Sequence, residues 1–129
     1  MIVIDAAAIV DALTMAPEAD AVRGRMSDEE LHAPHLIDFE VVSALRGQVL
    51  GKHLSAARAA DALTDFDDLP LVRWPAVGAL RRRAFSLRHN LSAYDAAYVA
   101  LAEALGCPLL TRDARIAKAG GHAAHVEVL

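Results

Sequence analysis

The chain opens on Met1-Ile2-Val3-Ile4, an unbroken apolar run rich in β-branched residues that stops at Asp5. A run this short and this apolar suits a strand buried on both faces, the condition of a parallel sheet covered by helices on either side. Leu109-Leu110-Thr111 repeats the pattern far downstream and leads into Arg112-Asp113. Residues 31–34 and 71–74 read as two more short strands, and residues 125–129 alternate polar and apolar as an edge strand does. Helix-length segments separate them. A short helix is predicted over 7–13, and Pro17 is placed to start a second that reaches about residue 25. A third runs over 35–50 with Gly51 as its C-terminal cap, and Ser55 caps a fourth that ends before Pro70. Pro75 starts a fifth that reaches 89, residues 92–105 form a sixth stopped by Gly106 and Pro108, and 114–119 form a seventh. Strands separated by helices predict a three-layer α/β/α architecture with a mostly parallel central sheet. A length of 129 residues predicts that 1–129 make a single domain.

Aromatic residues are only 5% of the chain against 55% hydrophobic, so the core must be built from Ala, Val, Leu and Ile. The net charge of −4 argues against a surface that holds nucleic acid everywhere by excess cations. Positive charge is nevertheless concentrated: Arg81, Arg82, Arg83 and Arg88 lie close together, and Arg112 and Arg115 flank Asp113. The triple arginine reads as a solvated helix face. No apolar stretch is free of charge for long enough to span a membrane, and Asp5 stands where a signal peptide needs an apolar run, so a cytoplasmic location is expected. The lone Cys107 beside Pro108-Leu109-Leu110 reads as a buried thiol, and His122-x-x-His125 lacks the further ligands of a zinc site.

Chemistry is concentrated in four acids. Asp5 and Asp113 each follow an apolar strand and precede a helix, which places both at the carboxyl edge of the sheet, where parallel sheets gather ligands. Each is also a good helix cap, and taken alone the two accounts are evenly matched. Glu40 projects among Leu36, Ile37 and Ala44 with no basic residue three or four positions away, so its charge requires a distant partner or a metal. Asp95 closes Ser92-Ala93-Tyr94-Asp95, a capping-box pattern that also presents an acid in the first turn of a helix. Like charges brought together raise one another's pKa, and a divalent cation relieves this. Oxygen-only ligands suit Mg²⁺ or Mn²⁺, which could activate water for attack on a phosphodiester.

At the level of motifs the chain resembles the PIN-domain ribonucleases, and within them the VapC-type toxins of bacterial toxin–antitoxin pairs. The resemblance is carried by Leu91-Ser92-Ala93-Tyr94-Asp95-Ala96-Ala97-Tyr98-Val99-Ala100-Leu101-Ala102, by Cys107-Pro108-Leu109-Leu110-Thr111-Arg112-Asp113, by Ile2-Val3-Ile4-Asp5, and by Glu40 in a helix entered through Ala33-Pro34. It implies a catalytic, metal-binding set of Asp5, Glu40, Asp95 and Asp113 and a Mg²⁺- or Mn²⁺-dependent endoribonuclease. It also implies a homodimer neutralised by a VapB-type antitoxin, which alone contacts operator DNA. Many relatives carry Ser or Thr two residues after the first Asp, where this chain has Ala7; Thr111 is the candidate to supply that hydroxyl. Arg112 and Arg115 are candidate RNA contacts. The rival reading is a non-catalytic or degenerate PIN-like module that binds RNA or regulates.

Overall fold

The computed structural model describes residues 1–129, in the element order β1 (Ile2–Ile4), α1 (Ala6–Leu13), α2 (Asp20–Ser27), β2 (Leu31–Pro34), α3 (Ile37–Leu50), α4 (Ala56–Asp68), β3 (Leu71–Trp74), α5 (Gly78–Ser86), α6 (Ala93–Leu105), β4 (Leu109–Thr111), α7 (Ala114–Lys118) and β5 (Val126–Val128). The five strands form one sheet in the order β3-β2-β1-β4-β5, and every pairing is parallel, including that of the terminal β5. Helices cover both faces, giving the three-layer α/β/α arrangement that the alternation of elements predicts. One group packs α1 against α2, α3 and α4, while α6 lies across β1, β2 and β4 with α5 on its outer side. No helix is long and apolar enough to cross a membrane.

The core follows from composition. Ile2, Val3 and Ile4 have no exposed surface, and neither do Leu109, Leu110 and Thr111 beside them, so the central strands are apolar because both faces are covered. Phe66 and Tyr98 are the buried aromatic side chains of the helices; elsewhere small and branched aliphatics do the packing. Besides Thr111, the buried polar residue is His32 on β2. Its Nδ1 accepts from Trp74 Nε1 at 2.9 Å and its Nε2 lies 2.6 Å from Glu30, so a fully buried ring is satisfied at both nitrogens.

The helix starts differ from expectation at two prolines. Pro17 lies in a turn and α2 begins only at Asp20; Pro75 precedes an extended Val77, and α5 begins at Gly78. Proline fixes φ but does not oblige the following residues to be helical, and here β3 and its loop continue extended past it. Gly106 takes the left-handed cap of α6 at φ 63° as expected. Gly51 does not: its φ is −78°, and the left-handed position passes to Lys52 at φ 61°.

The strand order fixes where a site can form. From β1 the chain builds outward to β2 and β3, then crosses back to lay β4 on the other side of β1. The connections leaving β1 and β4 therefore diverge, and a crevice opens at their carboxyl ends, beside Asp5 and Asp113.

Candidate active site

Asp5 leaves β1 at this crevice. Its Oδ1 accepts from the Ala8 amide at 2.9 Å, capping α1, and its Oδ2 accepts from the hydroxyl of Thr111 at the end of β4. The cap is therefore present and uses one oxygen, while the other faces the neighbouring strand. Burial lifts its carboxyl above the usual range, the Thr111 and Ala8 donors oppose this, and the charges of Asp95 and Asp113 add to it.

Glu40 enters from α3. Its partner is neither the local base nor the distant arginine that a buried charge invites, but the hydroxyl of Tyr98 on α6, which donates to Oε1 at 2.7 Å. Partial burial raises the Glu40 carboxyl, with Asp95 and Asp5 pushing the same way and Tyr98 opposing. The Tyr98 phenol is itself driven far upward by burial and by the Glu40 carboxylate it faces, so it remains a proton donor at any physiological pH.

Asp95 sits in the first turn of α6, whose N-terminus is capped by Ser92 accepting from the Asp95 amide at 3.1 Å. The reciprocal half of a capping box, from the Asp95 carboxylate back to Ser92, is absent. Its charge is felt by Asp5 and Glu40, whose carboxyl pKa values it raises. Asp113 caps α7 by accepting from the Arg115 amide at 2.9 Å, and the Arg115 guanidinium folds over both its oxygens, at 2.7 Å from Oδ2. That pairing holds the Asp113 carboxyl below its usual value.

Four acids from four separate segments therefore share one rim and feel one another's charge. They do not, as they stand, close on an ion: no three His, Cys, Asp or Glu side chains are disposed as a ready metal cage. The hydrogen bonds show what three of these carboxylates meet instead. Arg115 occupies Asp113, Tyr98 occupies one oxygen of Glu40, and Ala8 and Thr111 occupy Asp5. The donor set nevertheless fits a hard divalent cation, because it consists of partly buried carboxylates that repel one another, with hydrogen-bond donors and the Arg115 guanidinium offsetting this in part.

The PIN domain family matches residues 2–122. Among curated proteins, Ribonuclease VapC12 of Mycobacterium tuberculosis is 40% identical over 129 residues, 100% of this chain and 99% of its own length. Ribonuclease VapC9 of the same organism is 46% identical over 120 residues, 93% of this chain and 91% of that protein. This chain is a PIN domain of the VapC type. Solved structures share its fold at low sequence identity. VapBC2 of Rickettsia felis, bound to a DNA fragment from its promoter, superposes with a TM-score of 0.70 at 13% identity, covering 99% of this chain and 98% of that one. VapC20 of Mycobacterium tuberculosis, a sarcin-ricin-loop-cleaving toxin, superposes at 0.68 with 12% identity, covering 95% and 97%.

Within this PIN domain, Ala7 is exposed on α1 and offers no hydroxyl; the hydroxyl at Asp5 comes from Thr111, which also accepts from the Asp113 amide at 3.0 Å and so ties two of the acids together. Arg112 turns away from the crevice and pairs with Asp11 of α1 at 2.7 Å. Arg115 is 88% exposed at its side chain and remains at the rim. The residue that sequence reading missed is Tyr98. It lies three positions after Asp95, on the same helical face, and that spacing is the signal that could have found it.

Proposed function

We propose that this PIN domain is the endoribonuclease toxin of a VapBC-type pair, hydrolysing RNA phosphodiester bonds with Mg²⁺ or Mn²⁺ held by Asp5, Glu40, Asp95 and Asp113. The observation that carries the reading is the coupling of those four acids on one rim at the point where the strand connections diverge. The curated relatives are named ribonucleases across essentially the whole chain, which supports RNA as substrate. The toxin–antitoxin complexes among its structural neighbours, from Rickettsia felis and Klebsiella pneumoniae, support a VapB-type antitoxin as partner, with operator DNA reached only through it. The same likeness supports a homodimer working in the cytoplasm.

A bound divalent ion supplies Lewis acidity toward the phosphodiester and makes water acidic enough to attack near neutral pH. The chain supplies position. Thr111 holds Asp5 by its Oδ2, and Tyr98 holds Glu40 by its Oε1 while leaving Oε2 open to the crevice. Asp95 enters without a hydrogen bond to its carboxylate, so it is free to turn toward an ion or toward water. Arg115 must release Asp113 for all four acids to act together, and its exposed guanidinium then faces the side from which a phosphate approaches.

Purified protein tests the reading directly. RNA is expected to be cut with Mg²⁺ or Mn²⁺ present and to remain whole in chelator. Millimolar Mn²⁺ is also expected to raise the melting temperature, as any ligand of the native state does. Cutting that continues undiminished in chelator would refute metal dependence; a folded protein that binds RNA and never cuts it would favour the degenerate module.

A further inference from the structure

Beside the acid rim, between the N-terminus of α6, helix α5 and the ends of β2 and β3, runs a groove of about 640 Å³. Its floor is Leu36, Trp74, Leu80 and Leu91, and Phe85 and Tyr94 stand at its lip, 67% and 65% exposed. A volume of this size is that of a small-ligand site, which spans about 300–1,000 Å³. Two arginines, Arg81 and Arg88, complete the lining, and no carboxylate does.

The cations of the lining have no acid beside them in the groove. Arg23, Arg25, Arg73, Arg83, Arg112 and Arg115 each pair with a carboxylate. Arg81 and Arg88 do not, nor do Arg46, Arg58 and Arg82, but of these five only Arg81 and Arg88 line the groove. The Arg81 guanidinium donates to the Ala76 carbonyl across the groove mouth, and that of Arg88 lies over the Phe85 ring at 4.5 Å from its centroid. The groove reaches the start of α6: Ser92, Ala93 and Tyr94 line it, and Asp95 is the next residue along the chain.

We propose that this groove receives an unpaired base of single-stranded RNA next to the bond cut at the acid rim, with Arg81 and Arg88 on the flanking phosphates. The inference rests on the ribonuclease reading and names the feature of substrate that the site selects. Flat apolar walls with aromatic edges accept any base by its face, and unpaired cations answer the backbone charge. A second copy of the chain is the poorer occupant. An isologous contact centred on the groove would bring both sets of arginines across the axis with no carboxylate in either lining to answer them.

Trp74 is the only tryptophan in the chain and lies in the groove, so its fluorescence reports occupancy. The full-length protein in chelator is titrated with a short single-stranded RNA and with the same strand carrying one abasic site at each position in turn. The intact strand is expected to quench Trp74, and one abasic position is expected to abolish the quenching while leaving most of the affinity. Phe85→Ala with Tyr94→Ala, both at exposed positions, is expected to weaken binding on the order of tenfold. Arg81→Ala with Arg88→Ala is expected to flatten the salt dependence of binding by about two phosphate contacts. Wild-type affinity in both double variants, with Trp74 indifferent to RNA, overturns the proposal while RNA cleavage by the wild type leaves the ribonuclease reading standing. A Trp74 signal that follows protein concentration alone, or only an added antitoxin, overturns it in favour of a protein occupant. Absence of both RNA binding and metal-dependent cleavage in the wild type overturns the two readings together.

Discussion

Asp5 and Asp113 follow the ends of neighbouring strands, and each caps the helix that comes next, yet their charges live in opposite surroundings. Asp5 is held from inside the fold by a buried threonine and pushed up by burial and by two neighbouring acids. Asp113 is held from outside by an exposed arginine two residues away and pulled down. The difference teaches that one sequence pattern, strand then Asp then helix, produces two kinds of carboxylate. One is a strained charge that only a ligand can relieve, and the other is a charge the chain has already provisionally neutralised.

The sharpest break of this comparison is by substitution at each acid. Asp5→Asn is expected to bring RNA cleavage to background and to abolish stabilisation by Mn²⁺, since the strained position loses its charge. Asp113→Asn is expected to leave measurable cleavage that requires more metal. Single-turnover cleavage and melting curves across a metal titration read both, and equal residual activity in the two variants would erase the distinction.

Tyr98→Phe is expected to weaken metal binding by about 10- to 100-fold, because it frees a carboxylate oxygen that the hydroxyl had oriented. The readout is the metal concentration at half-maximal stabilisation, which a purely packing role for the ring would leave unmoved.

Acid titration separates the two acids by sign. A carboxyl raised on folding, like Asp5 or Glu40, favours the native state below its ordinary value of 3.8 or 4.5 and withdraws that stability as pH rises through the folded value. A carboxyl lowered on folding, like Asp113, adds stability above 3.8 that is lost as pH falls through its folded value. In chelator, Asp5→Asn is therefore expected to be more stable than the wild type at neutral pH and not at pH near 4, by urea denaturation at each pH. Asn still accepts from the Ala8 amide, so the cap survives the change.

The smallest effect belongs to Arg115→Ala. An exposed ion pair contributes little to stability, so the melting temperature of the metal-free protein should scarcely move. Half-maximal stabilisation by Mn²⁺ is expected at lower metal, because Asp113 no longer has a competing cation; a shift to higher metal would show that Arg115 assists rather than competes.

The rim was legible in the sequence because it is written in local terms. Short apolar runs can only be buried strands, and an acid directly after one must lie at the sheet's edge, so Asp5 and Asp113 were placed before any contact was known. Gly106 was legible for the same reason, as a cap needs only its own backbone. What was not legible depends on meetings across the fold. Tyr98 reaches Glu40 over a separation of 58 residues, and Asp95 makes only half of a capping box while lying close enough to raise Glu40 and Asp5. The triple arginine read as one solvated face and divides in three dimensions: Arg83 binds Glu103 at 2.8 Å while Arg81 lines a groove. Pro17 and Pro75 misplaced two helix starts because a favourable φ is permission for a helix and not a command.

The placing of β1 at the middle of the sheet has a consequence in time. Asp5 lies at the end of β1, yet the hydroxyl that orients it belongs to Thr111, made 106 residues later. Until β4 has emerged, β1 lacks one of its two neighbours and the crevice lacks a wall. A chain that has delivered Asp5, Glu40 and Asp95 still lacks the hydroxyl that orients the first of them, because that contact spans a long sequence separation.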